Sequence, residues 1–160
     1  MEYFKKIPLD VLENVFYDPD TGEVFITKGS LREKDGRVIY RHSSREEFPL
    51  PRILWTLETG EDPGEFVVDH VDTNPFNQKF SNLRLATKAQ NAQNRTMHTN
   101  NTSGVKGVYW DRTANMWRAR VYQGSKVVWS QYYRKEELEL AAKEISEARK
   151  KLHGEFANNG

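Results

Sequence analysis

The clearest pattern in this chain is a strict alternation of apolar and polar residues around position 119. Side chains of a strand point alternately to the two faces of a sheet, so residues 116–122 are predicted to form a strand with one apolar face and one basic, aromatic face. The apolar positions are Trp117, Ala119 and Val121, and the positions between them hold Arg118, Arg120 and Tyr122. Flanking segments at 105–112 and 126–133, joined by short polar turns, predict a three-stranded antiparallel sheet.

An amphipathic helix is predicted directly after this sheet, over residues 136–152. Its apolar residues share one stripe of the helix, and they are Leu138, Ala141, Ala142, Ile145 and Leu152. The small alanines allow the helix to pack closely on the sheet. Residues 104–157 are therefore predicted to form one small domain of three strands and one helix.

The first part of the chain predicts shorter elements. Residues 15–26 place the turn sequence Asp18-Pro19-Asp20-Thr21-Gly22 between two segments of aromatic and β-branched residues, which is typical of a hairpin. Residues 28–36 are polar and predict a loop, and residues 37–40 predict another short strand. Residues 51–60 predict a helix with a proline in its first turn and a glycine as its stop.

Two further strands and a helix are predicted around a polar loop. The strands are expected at 66–68 and 83–85, and Thr87 followed by Gln90 has the capping-box pattern of a helix start. Asn91 then falls about one turn inside that helix.

The polar, aperiodic residues 96–103 predict an interdomain linker. The fold class is therefore predicted to be α+β, with a first domain at 1–95 and a second domain at 104–157.

The composition limits where the protein is expected to be located and which side chains could bind a metal. No stretch of the 160 residues approaches the roughly 18 consecutive apolar residues of a membrane span, and the N-terminus lacks the apolar core of a signal peptide. We therefore expect a cytoplasmic protein with no membrane partner. There is no cysteine, which excludes disulfides and thiolate zinc sites. Any metal must be held by oxygen or imidazole ligands.

Charge is distributed unevenly along the chain. Residues 84–134 contain nine Lys or Arg and one acid, Asp111, which leaves 15 basic and 22 acidic residues elsewhere. The basic segment is interleaved with tyrosines and tryptophans, and this combination is typical of a surface that binds a polyanion. The alternative is a solvated face, but solvated faces usually mix both signs of charge.

The polar loop carries the candidate chemistry. Asp69 and His70 lie where the first of its two strands meets the loop, Asn82 lies where the loop ends, and Asn91 follows on the helix. A carboxylate, an imidazole and amide oxygens are the parts of an oxygen-ligated metal site with a base beside it. Strict alternation sends Asp69 and His70 to opposite faces, so we expect the strand to end or to bulge there.

The spacing of Val68-Asp69-His70, Asn82 and Asn91 resembles the HNH nuclease motif in its H-N-N form, as found in phage homing endonucleases. The resemblance extends upstream to the turn at 17–22 and to Arg52-Ile53-Leu54-Trp55, and it implies a ββα-metal core at about 66–95. It also implies that His70 is the general base and that Asn82 braces the loop. Asp69 and Asn91 would bind one Mg²⁺ or Mn²⁺ ion. For Arg52, packing at the helix start and contact with phosphate remain equally open.

The second domain resembles the APETALA2-type DNA-binding domain, in Gly104 to Trp110, Met116 to Val121, Val128-Trp129 and the closing residues 152–157. The resemblance implies that the sheet binds double-stranded DNA in the major groove. It implies DNA contacts at Lys106, Tyr109, Arg120, Tyr122 and Trp129. Arg118 joins them by strand alternation, and Arg84 and Arg95 are further basic candidates for DNA contact.

Together the two resemblances imply a metal-dependent DNA endonuclease of the phage homing type, which we expect to act as a monomer or a homodimer. Two alternatives stay open: a catalytically inactive DNA-binding regulator, and a nuclease directed at RNA, since basic-aromatic sheets also stack single-stranded bases.

Overall fold

The computed structural model describes residues 5–94, 97 and 100–159, and these divide into two compact units, 1–88 and 89–160. Each unit is a mixture of helices and antiparallel strands. The division falls inside the predicted first domain, which was expected to end at residue 95. Part of the predicted linker lies outside the described residues, and its last part, Asn101 to Ser103, is hydrogen-bonded to Val105 and Val108 of the second unit.

The first unit contains three small antiparallel sheets and one central helix. In chain order the elements are α1 (Leu9–Leu12), β1 (Val15–Tyr17), β2 (Val24–Ile26), β3 (Ser30–Lys34), β4 (Arg37–Arg41), β5 (Glu47–Pro49), α2 (Leu50–Thr59), β6 (Val67–His70) and β7 (Leu83–Ala86). The two-stranded sheets are β1–β2 and β6–β7, and the three-stranded sheet has the order β3–β4–β5.

The core of the first unit forms around α2. Leu50, Ile53 and Leu54 of this helix are buried against Tyr40 and Phe48 of the three-stranded sheet. The helix begins one residue before its predicted start and ends before Gly60, as predicted. The hairpin at 15–26 is also confirmed, since Val15 pairs with Ile26 and Tyr17 with Val24.

The predicted loop at 28–36 is wrong, because residues 30–34 form β3 and pair with β4. The two strands are joined by Asp35 and Gly36, whose φ angles of 51° and 68° are both positive. Two positive φ angles are the requirement of a type I′ turn, which Asp-Gly satisfies well. The strand is polar because its side chains are largely exposed, so its hydrophobic pattern gives no strand signal. Strand β5 was likewise not predicted.

The second unit contains a three-stranded antiparallel sheet in which the second strand along the chain lies in the middle, with a long helix packed on it. Its core joins Val108, Ala119 and Val121 of the sheet to Ala141 and Ile145 of the helix, as the alternation and the helical stripe predicted. In chain order the elements are α3 (Lys88–Gln93), β8 (Val108–Asp111), β9 (Met116–Gln123), β10 (Lys126–Tyr133) and α4 (Leu138–His153), and the unit begins within α3. None of the helices in the described part of the chain has the length and apolar character needed to cross a membrane.

Candidate active site

The candidate site is built on the β6–β7 ribbon. The strands pair regularly from Val67 opposite Ala86 to His70 opposite Leu83, without a bulge, and β6 ends at His70. Of the two predicted alternatives, the strand therefore ends and does not bulge. Because adjacent side chains of a strand point to opposite sides, Asp69 and His70 leave the ribbon in different directions.

Asp69 is buried and is held by its cross-strand neighbour. Its side chain is 7% exposed, and its Oδ2 accepts hydrogen bonds from Nε and Nη2 of Arg84, both at 3.0 Å. This ion pair orients the carboxylate, and it gives Arg84 a different partner from the DNA contact predicted for it.

His70 is half-buried, with its Nε2 3.4 Å from Oε1 of Gln78. Burial lowers the pKa of His70, against opposing contributions from the Gln78 contact and from the charges of Asp72 and Asp69. A lowered pKa keeps the imidazole neutral near pH 7, which is the form that can accept a proton.

The loop after His70 is held by a network centred on Asp72 and Asn82. Asn82 donates from Nδ2 to Oδ1 of Asp72 and to the carbonyl of Asn77, both at 2.9 Å, and its Oδ1 accepts from the Asp72 amide. The amide of Val71 also donates to the Asn82 carbonyl at 2.9 Å. Although partial burial of Asp72 raises its pKa, hydrogen bonds from Asn77, the Asn74 amide and Asn82 lower it overall. These contacts are what a loop-bracing role for Asn82 requires; the role in catalysis stays a prediction.

The β1–β2 hairpin contacts the same loop, and sequence reasoning missed this. The Tyr17 hydroxyl donates to the carbonyl of Gln78 at 2.6 Å, and the amide of Phe80 donates to the carbonyl of Pro19 at 2.9 Å. Burial is the main cause that raises the pKa of Tyr17 to about 12, so the hydroxyl stays a donor. The turn sequence at 18–22 identified the hairpin, but nothing local in it indicates its partner.

Asn91 lies in α3, which begins directly after Thr87 as predicted. Beyond it, the carbonyl of Gln93 accepts from Nζ of Lys106 at 3.3 Å, and the carbonyl of Asn94 accepts from Nδ2 of Asn158 at 2.6 Å. Lys106 also donates to the carbonyl of Asn158 at 2.9 Å. The Lys106 ammonium therefore donates to backbone carbonyls within the second unit. It does not lie on the DNA-facing side that the sequence predicted.

The outer face of the second unit's sheet carries aromatic and basic side chains in register. Tyr109, Arg118 and Tyr132 are opposite one another on adjacent strands. The Arg118 guanidinium lies 4.9 Å from the Tyr132 ring centroid, and that of Arg120 lies 5.4 Å from the Tyr109 ring centroid. Tyr132 extends the predicted surface, on which Tyr122 is also exposed.

Trp129, another predicted DNA contact, is not on this face. Trp129 packs against the core of the second unit. A bulge between Val127 and Trp129 brings Trp129 opposite Val121, so the side chain turns to the core and Val128 is exposed instead. Arg95 lies outside the described residues.

The surroundings of Arg52 favour the packing alternative. It is buried, pairs with the carboxylate of Asp62 and donates to the carbonyl of Gly64 at 3.0 Å. These contacts hold the turn after α2.

Metal-binding capacity rests on few side chains. Within the described residues, no group of three His, Asp or Glu side chains could hold a metal ion. The donors that the sequence predicted are one carboxylate and one amide oxygen, from Asp69 and Asn91, and such hard oxygen ligands suit Mg²⁺ or Mn²⁺ rather than Zn²⁺.

Comparisons with known proteins agree with this segment of the chain. A family model described as HNH endonuclease matches residues 50–93, the segment that contains Asp69, His70, Asn82 and Asn91. Protein 3.8 of Escherichia phage T7 is 34% identical over 120 residues, which cover 73% of this chain and 97% of that protein. The uncharacterized HNH endonuclease L560 of Acanthamoeba polyphaga mimivirus is 42% identical over 60 residues, which cover 37% of this chain and 32% of that protein. No solved structure matches the chain.

Proposed function

Because this chain belongs to the HNH endonuclease family, we propose that it hydrolyses phosphodiester bonds of double-stranded DNA with His70 as general base. The observation that supports this most is the placement of His70 at the end of β6, beside the buried Asp69 and before a loop braced by Asn82. All three residues fall within the segment matched by the family model. The β6, β7 and α3 elements would then form the ββα-metal core.

In this proposal His70 removes a proton from a water molecule that attacks the phosphorus atom. The new bond joins the water oxygen to phosphorus, and the bond between phosphorus and the 3′ oxygen breaks. Asp69 and Asn91 would hold one divalent cation, which when bound stabilises the charge developing on the departing oxygen. Asn82 acts at a distance from the reacting atoms, by fixing the loop that follows His70.

The sheet of the second unit is proposed to hold the DNA, in the manner of an APETALA2-type domain. The supporting observation is the in-register set of Tyr109, Arg118 and Tyr132, next to Arg120. Arginine pairs with phosphate or with guanine, and an aromatic neighbour keeps its guanidinium oriented. A homing activity in phage DNA, and a location in the host cytoplasm, are further expectations of this proposal.

The test is cleavage of supercoiled plasmid DNA by the full chain in Mg²⁺ or Mn²⁺. We expect His70→Ala to lower the cleavage rate by about 100-fold or more, the usual contribution of a general base, while DNA binding is kept. His42→Ala is the matched control, because His42 lies by Asp10 and Ser44 and has no part in the proposed site.

The outcomes separate the alternatives. Cleavage that EDTA abolishes supports the proposal, and relaxed circles distinguish nicking from the linear product of a double-strand cut. A parent chain that binds DNA but never cuts it would instead be a regulator. Preference for RNA when duplex DNA and RNA compete would redirect the proposal to an RNA substrate.

A further inference from the structure

Asp111 is the single acid among residues 84–134, and it lies on the outer face of the second unit's sheet. It follows Tyr109 by two residues on β8 and so shares the face of Tyr109 and Arg118, which pair across β8 and β9. A negative charge at this position repels phosphate and lowers the affinity for the DNA that this face is proposed to hold. The proposed function does not by itself explain why an acid lies among the basic side chains.

The two carboxylate oxygens of Asp111 have different partners. Oδ1 accepts hydrogen bonds from the amides of Thr113 and Ala114, at 3.0 and 3.1 Å, and so closes the turn between β8 and β9. Oδ2 accepts from the Tyr132 hydroxyl at 3.3 Å and lies 3.7 Å from Nη1 of Arg118. These contacts, the Ala114 amide above all, lower the pKa of Asp111 against the effect of burial, so the carboxylate stays charged at neutral pH.

The turn does not require the charge of Asp111. A turn of this kind needs only an acceptor oxygen, which an asparagine would supply equally well. Stability does not require the charge either, because an ion pair between partly exposed side chains contributes little. The Arg118 and Asp111 side chains are 27% and 17% exposed. The effect of the charge is therefore sought in what it does to Arg118.

Arg118 is held from two sides. The Tyr132 ring lies below its guanidinium, 4.9 Å away at the centroid, and the Asp111 carboxylate lies beside it. Arg120, in contrast, lies 5.4 Å from the ring centroid of Tyr109. A guanidinium whose charge is offset is attracted less strongly to phosphate, but its hydrogens keep a fixed direction. A fixed direction is what reading the acceptor atoms of a base edge requires.

We infer that Asp111 is a positioning residue that makes Arg118 read a base edge instead of binding phosphate, and so determines the sequence preference of the sheet. This inference rests on the proposed function, in which the outer face of the sheet holds duplex DNA. Asp111 acts through Arg118 and needs no contact of its own with DNA.

The test is binding-site selection by the full chain from a pool of random-sequence duplex DNA, in EDTA so that no strand is cut. Asp111→Asn keeps an acceptor for the two turn amides and removes the charge. We expect the parent to enrich a preferred site, and Asp111→Asn and Arg118→Ala to lose the preference at the same position of that site. Glu147→Gln is the matched control and should keep the preference, because it removes one negative charge from an exposed position of α4, which packs on the sheet's other face.

Binding titrations then separate positioning from a structural role. The parent should bind its selected duplex about 5- to 150-fold more tightly than a duplex changed at that position, the discrimination of a good contact between a side chain and a base. Asp111→Asn should lower this ratio and should bind a random-sequence duplex more tightly than the parent does. Its log-log salt slope should be steeper by up to about one unit, because the released Arg118 gains a phosphate contact. A residue that only closed the turn would weaken binding to both duplexes.

The outcomes distinguish this inference from the proposed function. If Asp111→Asn keeps the parent's full preference, the role of Asp111 is overturned. If that variant fails to fold, Asp111→Ser decides in the same way, since it also offers the turn an acceptor without a charge. A parent that binds duplex DNA with no sequence preference overturns the role as well, while the proposed function stands. A parent that binds no duplex DNA overturns the proposed function of the sheet and this inference with it.

Discussion

The ammonium of Lys106 lies among backbone carbonyls, and these surroundings change its pKa. Burial, with a smaller contribution from the charge of Arg149, lowers the pKa of Lys106 to about 8. Arg149 is itself buried and donates to the carbonyl of Lys106 and to Oδ1 of Asn159. The motif placed Lys106 on the DNA-facing side, but a sequence motif does not show which carbonyls fold around a side chain.

The stability of the second unit should therefore depend on the titration of Lys106. In the unfolded chain a lysine keeps its proton up to about pH 10.4. Between about pH 8 and that value the unfolded state binds more protons than the folded state, so this residue makes the free energy of unfolding rise with pH. Lys106→Met should remove that rise, giving a shallower dependence than the parent in urea unfolding followed by tryptophan fluorescence.

The informative quantity is the slope of the free energy of unfolding against pH. Its absolute value is not informative, because Lys106→Met also removes a donor from the carbonyls of Gln93 and Asn158 and so lowers stability at every pH. Lys143→Met, at an exposed position of α4, controls for the loss of a lysine as such. Identical pH dependence in the parent and Lys106→Met would contradict the expectation.

At the scale of elements, the β1–β2 hairpin is expected to support the loop of the candidate site. Gly22 has a φ of +79°, and a Cβ placed there would lie 2.7 Å from the backbone nitrogen of Lys79. Gly22→Ala must therefore shift the backbone next to Gln78 as well as strain its own. We expect the substitution to lower both the melting temperature and the kcat for DNA cleavage.

Gly36→Ala is the matched control for this substitution. Gly36 also has a positive φ, +68°, but a Cβ there meets nothing within 4 Å. The Gly36→Ala variant should be less stable than the parent only by the roughly 1–2 kcal/mol that a left-handed backbone conformation costs, and it should keep the parent's kcat. Gly22→Ala should lose about 1–3 kcal/mol more, the usual range for overpacking. Equal losses in the two variants, with kcat unchanged, would show that the hairpin does not support the site.

These elements also show what the sequence could predict. Hairpin β1–β2, helix α2 and strand β9 each have a hydrophobic period or a turn signal that coincides with the core they form. Strand β3 was missed because its side chains face solvent, and the bulge beside Trp129 because a one-residue insertion leaves no pattern.

Part of the candidate site could likewise be predicted from the sequence, and part could not. Asp69, His70 and Asn82 follow from local order and spacing. The contact between Tyr17 and Gln78 joins residues 61 positions apart, and only the tertiary structure brings them together.

For the whole molecule, the excess of basic residues between Arg84 and Arg134 overstates the charge available to DNA. Arg84 is paired with Asp69, and Lys106 is held by carbonyls. Arg118 lies 3.7 Å from Asp111, so its charge is partly offset. Among the basic side chains of the described sheet, Arg120 is therefore expected to contribute most to binding on the outer face, where it stacks on Tyr109 and donates to the Tyr122 hydroxyl at 3.3 Å.

Replacing Arg118 and Arg120 together by alanine should weaken DNA binding and flatten its dependence on salt. Each lost phosphate contact lowers the log-log slope by up to about one unit. Lys143→Ala with Lys150→Ala is the control, because it removes the same charge from exposed positions of α4, the helix packed on the sheet's other face.

Since the sheet is proposed to hold DNA and not to contact the reacting atoms, the Arg variant should raise KM for cleavage and leave kcat nearly unchanged. If both double variants flatten the slope equally, net charge and not the sheet's outer face determines binding; a fall in kcat alone would mean that these arginines act in the chemical step.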